Sequence, residues 1–138
     1  MKLRTKRIEV WIAVDGENED DKAEILVHPL SPKELADMLD KCRKIEWDKG
    51  QRFTEIEYYK FKIKKINTTI LDWKGVCDED GNEIRCTNAN KELVYLGNPD
   101  FIDNILDKAD ALYKGLQEDI EKEIKNLKTA QPGTETKI

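Results

Sequence analysis

The residues best spaced to do chemistry lie between Cys77 and Cys86, where Asp78, Asp80, Asn82 and Glu83 present oxygens at closely spaced positions. Calcium-binding loops alternate their ligands in this way. An EF-hand loop also needs Gly at its sixth position and a bidentate Glu at its twelfth. Counted from Asp78, those positions hold Glu83 and Ala89; counted from Asp80, they hold Arg85 and Lys91. The pattern fails in both registers, so the segment reads as a solvated turn around Asp80-Gly81-Asn82. Cys77 and Cys86 flank that turn and could face each other across a small hairpin. In a reducing compartment they read as small buried hydrophobes rather than a bridge. Zinc would need further soft ligands, and only Cys42 and His28 remain to supply them.

His28 is the one histidine of the sequence. It precedes Pro29 at the exit of an expected strand and reads as a structural side chain with its hydrogen bonds met. No GxGxxG, Walker A, HExxH or GxSxG pattern occurs, and the acidic residues form no recognisable pair. The expectation is a non-enzyme with no catalytic, metal or cofactor residues. Lys60, Lys62, Lys64 and Lys65 interleave with Tyr58, Tyr59, Phe61 and Ile63, a mixture that can contact phosphates and stack on bases. On an amphipathic helix the aromatics would instead enter the core while the lysines stay in water.

The elements that must position these residues begin with Ile8 to Val14, a β-branched and aromatic run that suits a strand. A polar turn from Asp15 to Asp21 leads to Ala23–Val27 as its antiparallel return. Ser31-Pro32-Lys33-Glu34 supplies an N-cap, a first-turn proline and a capping-box glutamate. Leu35, Met38, Leu39 and Cys42 then follow at helical spacing to about Lys44. Ile45 to Arg52 reads as a charged loop around Gly50. Phe53 to Trp73 is ambiguous. Its aromatics and β-branched residues favour a strand, whereas Tyr59, Ile63, Ile66, Ile70 and Trp73 form one helical stripe. Its length favours the helix, with a strand over Phe53–Ile63 as the alternative.

Thr87 caps a short helix from Asn88 to Leu96 that Gly97 stops. Asn98-Pro99 begins a new helix, with Asn as cap. From Phe101 to Leu127 an apolar stripe recurs at steps of three and four. A helix of about 30 residues spans roughly 45 Å, and it should outrun a body with a radius of about 14 Å. Its outer residues Leu112, Tyr113, Leu116, Ile120, Ile124 and Leu127 are therefore the candidate partner-binding surface. The expected class is α+β: an N-terminal antiparallel hairpin or small sheet, then a helical bundle ending in a long helix. Residues 1–129 would form one domain and 130–138 a disordered tail.

Composition narrows the function further. The sequence has 138 residues, 38% of them charged, with 24 basic and 29 acidic side chains and a net charge of −5. A mixed, mildly acidic surface favours solubility and offers phosphates no general attraction. Val10 to Val14 is too short for a signal h-region, and no apolar run approaches the ~20 residues of a membrane span. The protein reads as cytoplasmic.

Leu30 to Phe101, about half of the sequence, carries PLSPKELADML and ILDWKGVCDEDGNEIRCTNANKELV. Trp73-Lys74-Gly75-Val76, Asp78, Asp80-Gly81-Asn82 and Thr87 within it resemble the small tail-assembly chaperones of tailed phages and prophages. The resemblance implies a cytoplasmic, non-enzymatic assembly factor, in the host cell if phage-encoded. Its partner would be the aggregation-prone tape-measure protein or a tail-tube protein, with self-association through the C-terminal helix as a further possibility. The Trp-Gly and Asp-Gly positions read as structural, and no binding residue carries over. The alternatives are a structural virion protein of the tail or head–tail connector, and a nucleic-acid-binding regulator using Lys60 to Lys65.

Overall fold

A computed structural model describes residues 7–16 and 21–129, without the side chains at 120, 123 and 126–129. The expected tail at 130–138 lies outside the described residues. Strand β1 (Val10–Asp15) pairs antiparallel with β2 (Lys22–Val27), from Val10 opposite Val27 to Asp15 opposite Lys22. Along β2, Ala23, Ile25 and Val27 are buried while Lys22 and Glu24 are exposed. That period of two turns one face of the hairpin onto the core. The third strand of this sheet, β5 (Ile70–Lys74), pairs antiparallel with β2, giving the order β1-β2-β5.

Helix α1 (Pro32–Lys41) starts on the expected capping box. Glu34 N–H donates to Ser31 Oγ at 3.2 Å, and Ser31 N–H donates to Glu34 Oε1 at 3.2 Å. The helix ends three residues earlier than expected, because Arg43 already begins a strand.

The charged loop expected at Ile45–Arg52 is instead a β-hairpin. β3 (Arg43–Asp48) and β4 (Gln51–Ile56) pair in register from Arg43 opposite Ile56 to Asp48 opposite Gln51. Lys49 (φ 51°) and Gly50 (φ 76°) both adopt left-handed backbone, the two-residue turn whose twist matches that of the flanking strands. The continuous helix expected over Phe53–Trp73 is likewise corrected. Only its middle is helical, as α2 (Tyr58–Thr69), with a strand at each end. Ile70 takes extended backbone (φ −91°, ψ 111°) because it pairs with Val27 across the sheet. The distant strand thus outweighs the local helical spacing.

Helix α3 (Asn88–Gly97) is capped by Thr87, whose hydroxyl accepts from Asn90 N–H at 3.1 Å. Helix α4 runs over Pro99–Thr129. Asn98 stands at the expected cap position of α4, its carbonyl accepting from Ile102 N–H at 3.4 Å, but its side chain turns back to α3. Its side-chain amide and its N–H both donate to Val94 O, at 3.3 and 2.7 Å. With one residue between the helices, its donors go to the open carbonyl end of α3. The architecture is α+β, with the core between one face of the β1-β2-β5 sheet and helices α2, α3 and α4. Ile25, Val27, Ile66, Ile70, Trp73, Ile102 and Ile105 lie at its centre.

Candidate functional site

Burial along α4 changes abruptly. Ile102, Ile105, Leu106 and Ala109 are buried in the core. Beyond them Leu112 is half-buried against the core cluster, Tyr113 and Leu116 are half-buried, and Ile124 is 47% exposed. Past Ala109, none of the described side chains is buried. The side chains of Ile120 and Leu127 lie outside the described residues. Leu112 therefore belongs partly to the core, while Tyr113, Leu116 and Ile124 continue the stripe. The Tyr113 hydroxyl accepts from Gln117 Nε2 one turn on, at 3.3 Å.

The inner half of α4 is fastened to α2 by charge. Lys62 Nζ meets Asp103 Oδ1 at 2.6 Å and Lys65 Nζ meets Asp110 Oδ2 at 3.3 Å. Lys62 also lies over the Tyr95 ring, 5.6 Å from its centroid. Lys60 pairs with Glu57 at 3.6 Å. Three of the four interleaved lysines thus have a carboxylate partner, which weakens this segment as a phosphate-binding stripe. The aromatics do not enter the core as expected. Tyr58 and Tyr59 are exposed, and Phe61 is half-buried. They occupy the first turn of α2, where the Tyr59 hydroxyl donates to Glu92 Oε1 of α3 at 2.7 Å. That hydrogen bond, with partial burial and the charge of Glu92, raises the Tyr59 hydroxyl above its ordinary pKa.

The Asp78 region is a turn with its hydrogen bonds met internally. Asp78 Oδ1 accepts from the N–H groups of Asp80 and Asn82 at 3.0 and 2.9 Å, and Asp78 N–H donates to Asn82 O at 2.8 Å. Among the described residues no group of three or more His, Cys, Asp or Glu side chains is placed to hold a metal ion. Cys77 faces Glu83 across the bridge rather than Cys86. All three cysteines are free thiols, and only Cys42 is buried. The expectation of two buried hydrophobes fails for Cys77, which is exposed, and holds in part for the half-buried Cys86. The cause is register: Cys86 lies three residues past the bridge, outside the turn.

His28 is buried between two acceptors, with Nδ1 2.7 Å from Ile8 O and Nε2 2.8 Å from Glu34 Oε2. It ties the segment before β1 to the first turn of α1. Burial pushes the Glu34 carboxyl up, but the hydrogen bonds from His28 and Ser31 and the charge of His28 outweigh it. The result is a carboxyl below its ordinary range.

Two features were missed in the sequence. Lys91 is 4% exposed and donates from Nζ to Ile70 O at 2.8 Å, where burial holds its ammonium below the usual lysine range. Burial raises the nearby Cys86 thiol, with the Lys91 charge pulling the other way. The signal was Lys91 standing one turn before Val94 on the inward stripe of α3. The second is the β3–β4 hairpin, exposed along both strands except for Ile56, with Trp47 at 70% exposure on the same face as Ile45, and Phe53 on the other face beside Glu46. Its signal was Lys49-Gly50 between two six-residue segments.

A cleft of about 360 Å³ opens between the end of β1, the start of β2 and the α3–α4 junction, with Asp15, Asp21, Cys77, Asn98 and Phe101 in its lining. Among its described lining residues the ionisable groups are the Asp15 and Asp21 carboxylates and the Cys77 thiol.

The model of a family described as YdaY prophage protein matches residues 30–126, well over half of the sequence. This protein belongs to the YdaY prophage protein family. The span matched to the YdaY family begins at Leu30, after β2, and takes in α1, the β3–β4 hairpin, α2, β5, α3 and most of α4. No curated protein and no solved structure matches the sequence. Among the described residues no helix is long and apolar enough to cross a membrane.

Proposed function

We propose that this prophage protein is a non-enzymatic assembly adaptor of the tail-assembly chaperone kind, working in the host cytoplasm. It would hold an apolar helical segment of a protein such as the tape-measure protein. The observation that carries this reading is the end of burial at Ala109, while the apolar stripe of α4 continues through Tyr113, Leu116 and Ile124. An amphipathic helix whose apolar face outlasts its own core is suited to receive a second helix. The surrounding charges, among them Lys114, Glu118, Asp119 and Lys122, would keep the complex in solution.

Family membership supports the phage context, and the tail assignment rests on the resemblance of Leu30–Phe101. The pairing of Lys62 and Lys65 with α4 carboxylates favours a protein partner over nucleic acid. The test is co-expression with the tape-measure protein of the same prophage. The proposal expects co-purification and a larger soluble fraction of that protein, both lost in Leu116→Glu/Ile124→Glu. Equal solubility with and without the adaptor would overturn the reading. Its recovery in purified particles would favour a structural virion protein instead.

A further inference from the structure

β3 pairs only with β4, so its other edge is open among the described residues. The two-residue turn at Lys49-Gly50 sets which backbone groups face that edge. In such a hairpin the residues flanking the turn, Asp48 and Gln51, exchange hydrogen bonds, and the pattern alternates from there. Asp48, Glu46 and Lys44 therefore bond to β4. Trp47, Ile45 and Arg43 turn their N–H and C=O groups outward. An open edge of this kind is a template for another strand unless its side chains oppose pairing.

We propose that β3 pairs antiparallel with β3 of a second copy of this protein, centred on Ile45, to form a four-stranded sheet across a two-fold axis. The support is the charge order of Arg43-Lys44-Ile45-Glu46-Trp47-Asp48. A two-fold register centred on Ile45 sets Lys44 opposite Glu46 of the second copy, twice. It also sets Arg43 opposite the aromatic face of Trp47, an arrangement that attracts a guanidinium. Centring on Lys44 would oppose lysine to lysine, and centring on Glu46 would oppose glutamate to glutamate. Directly opposed like charges disfavour a strand pair and unlike charges favour it. The Ile45 register is also the one in which all three outward-facing residues meet outward-facing residues and no like charges meet.

The open edge of β4 lacks this property. Centred on Phe53 it pairs Gln51 with Glu55, and centred on Thr54 it pairs Phe53 with Glu55. The residues concerned are accessible: Lys44 and Glu46 side chains are about half exposed, and Trp47 more so. Within one copy Lys44 Nζ already lies 3.2 Å from Glu46 Oε1, so the dimer would gather four alternating charges on one face. The interface is isologous, each copy giving the same strand. It is independent of the α4 stripe.

Sedimentation velocity of the full-length protein from ~1 to ~100 μM tests this, because a short ribbon contact belongs to the weak, micromolar class. The wild type is expected to shift from monomer to dimer over that range. Lys44→Glu and Glu46→Lys, each alone, place like charges opposite each other and should weaken dimerisation by about tenfold or more. An equimolar mixture of the two variants sets each new charge against its opposite and should restore the dimer. Amide exchange at Arg43, Ile45 and Trp47 should slow as wild-type concentration rises, with Lys44 and Glu46 unchanged, a readout that needs no variant. A wild type monomeric throughout, single variants that dimerise as the wild type does, or a mixture that stays monomeric would each overturn the proposal.

Discussion

Replacing Gly75 by alanine tests how the β1-β2-β5 sheet is closed, and Gly81 supplies a control within the same protein. Both residues have left-handed backbone, φ 80° at Gly75 and φ 83° at Gly81. Either alanine therefore incurs the left-handed penalty of about 1–2 kcal/mol. A Cβ at Gly81 would meet nothing within 4 Å, whereas one at Gly75 would stand 2.8 Å from the backbone carbonyl oxygen of Lys22. That oxygen belongs to β2, so relief requires moving a strand rather than turning a side chain. Such overpacking costs about 1–3 kcal/mol. Gly75→Ala should thus lose about 2–5 kcal/mol, and Gly81→Ala about 1–2 kcal/mol. Urea unfolding followed by tryptophan fluorescence reads both, since Trp73 is buried two residues before Gly75. In thermal unfolding the difference corresponds to roughly 4 °C per kcal/mol for a protein of this size. Equal losses at the two positions would show that β2 does not press on Gly75, and the account of the sheet edge would fail.

Ile105, fully buried, should cost about 2–5 kcal/mol as Ile105→Ala in the same urea assay, the usual range for an unfilled core cavity. Glu34 has a folded pKa below its reference of 4.5, so its contribution is present above about pH 4.5 and lost as pH falls through the folded value. Acid titration of stability should accordingly be shallower in Glu34→Gln than in the wild type. Lys91 has a folded pKa below its reference of 10.5, which gives the opposite sense. Its charged form is penalised below the folded value, and that penalty lifts as pH rises toward 10.5. The wild type should therefore gain stability relative to Lys91→Met as pH rises toward 10.5 in paired urea titrations; a constant difference would count against a strained ammonium.

The sequence by itself determined the elements whose signals span a few residues. The Ser31–Glu34 capping box, the Thr87 cap and the Asp78 turn are closed by hydrogen bonds between near neighbours, so their residue types are sufficient. The first hairpin was legible as two short β-branched runs either side of a polar turn, and the long α4 stripe as one uninterrupted periodic pattern. Tertiary structure alone decided where α2 ends. Ile70 fits the helical stripe of Ile63 and Ile66, yet it pairs with Val27, far away in sequence. It also decided the fate of the charges. Lys62 and Lys65 look like free lysines until α4 brings Asp103 and Asp110 beside them, and Lys91 looks exposed until β5 presents Ile70 O. The α4 stripe was named from its spacing, but only packing showed that Leu112 meets the core while Ile124 remains exposed. Hydrogen bonds between neighbours are encoded locally, whereas burial and strand pairing depend on segments that only folding brings together.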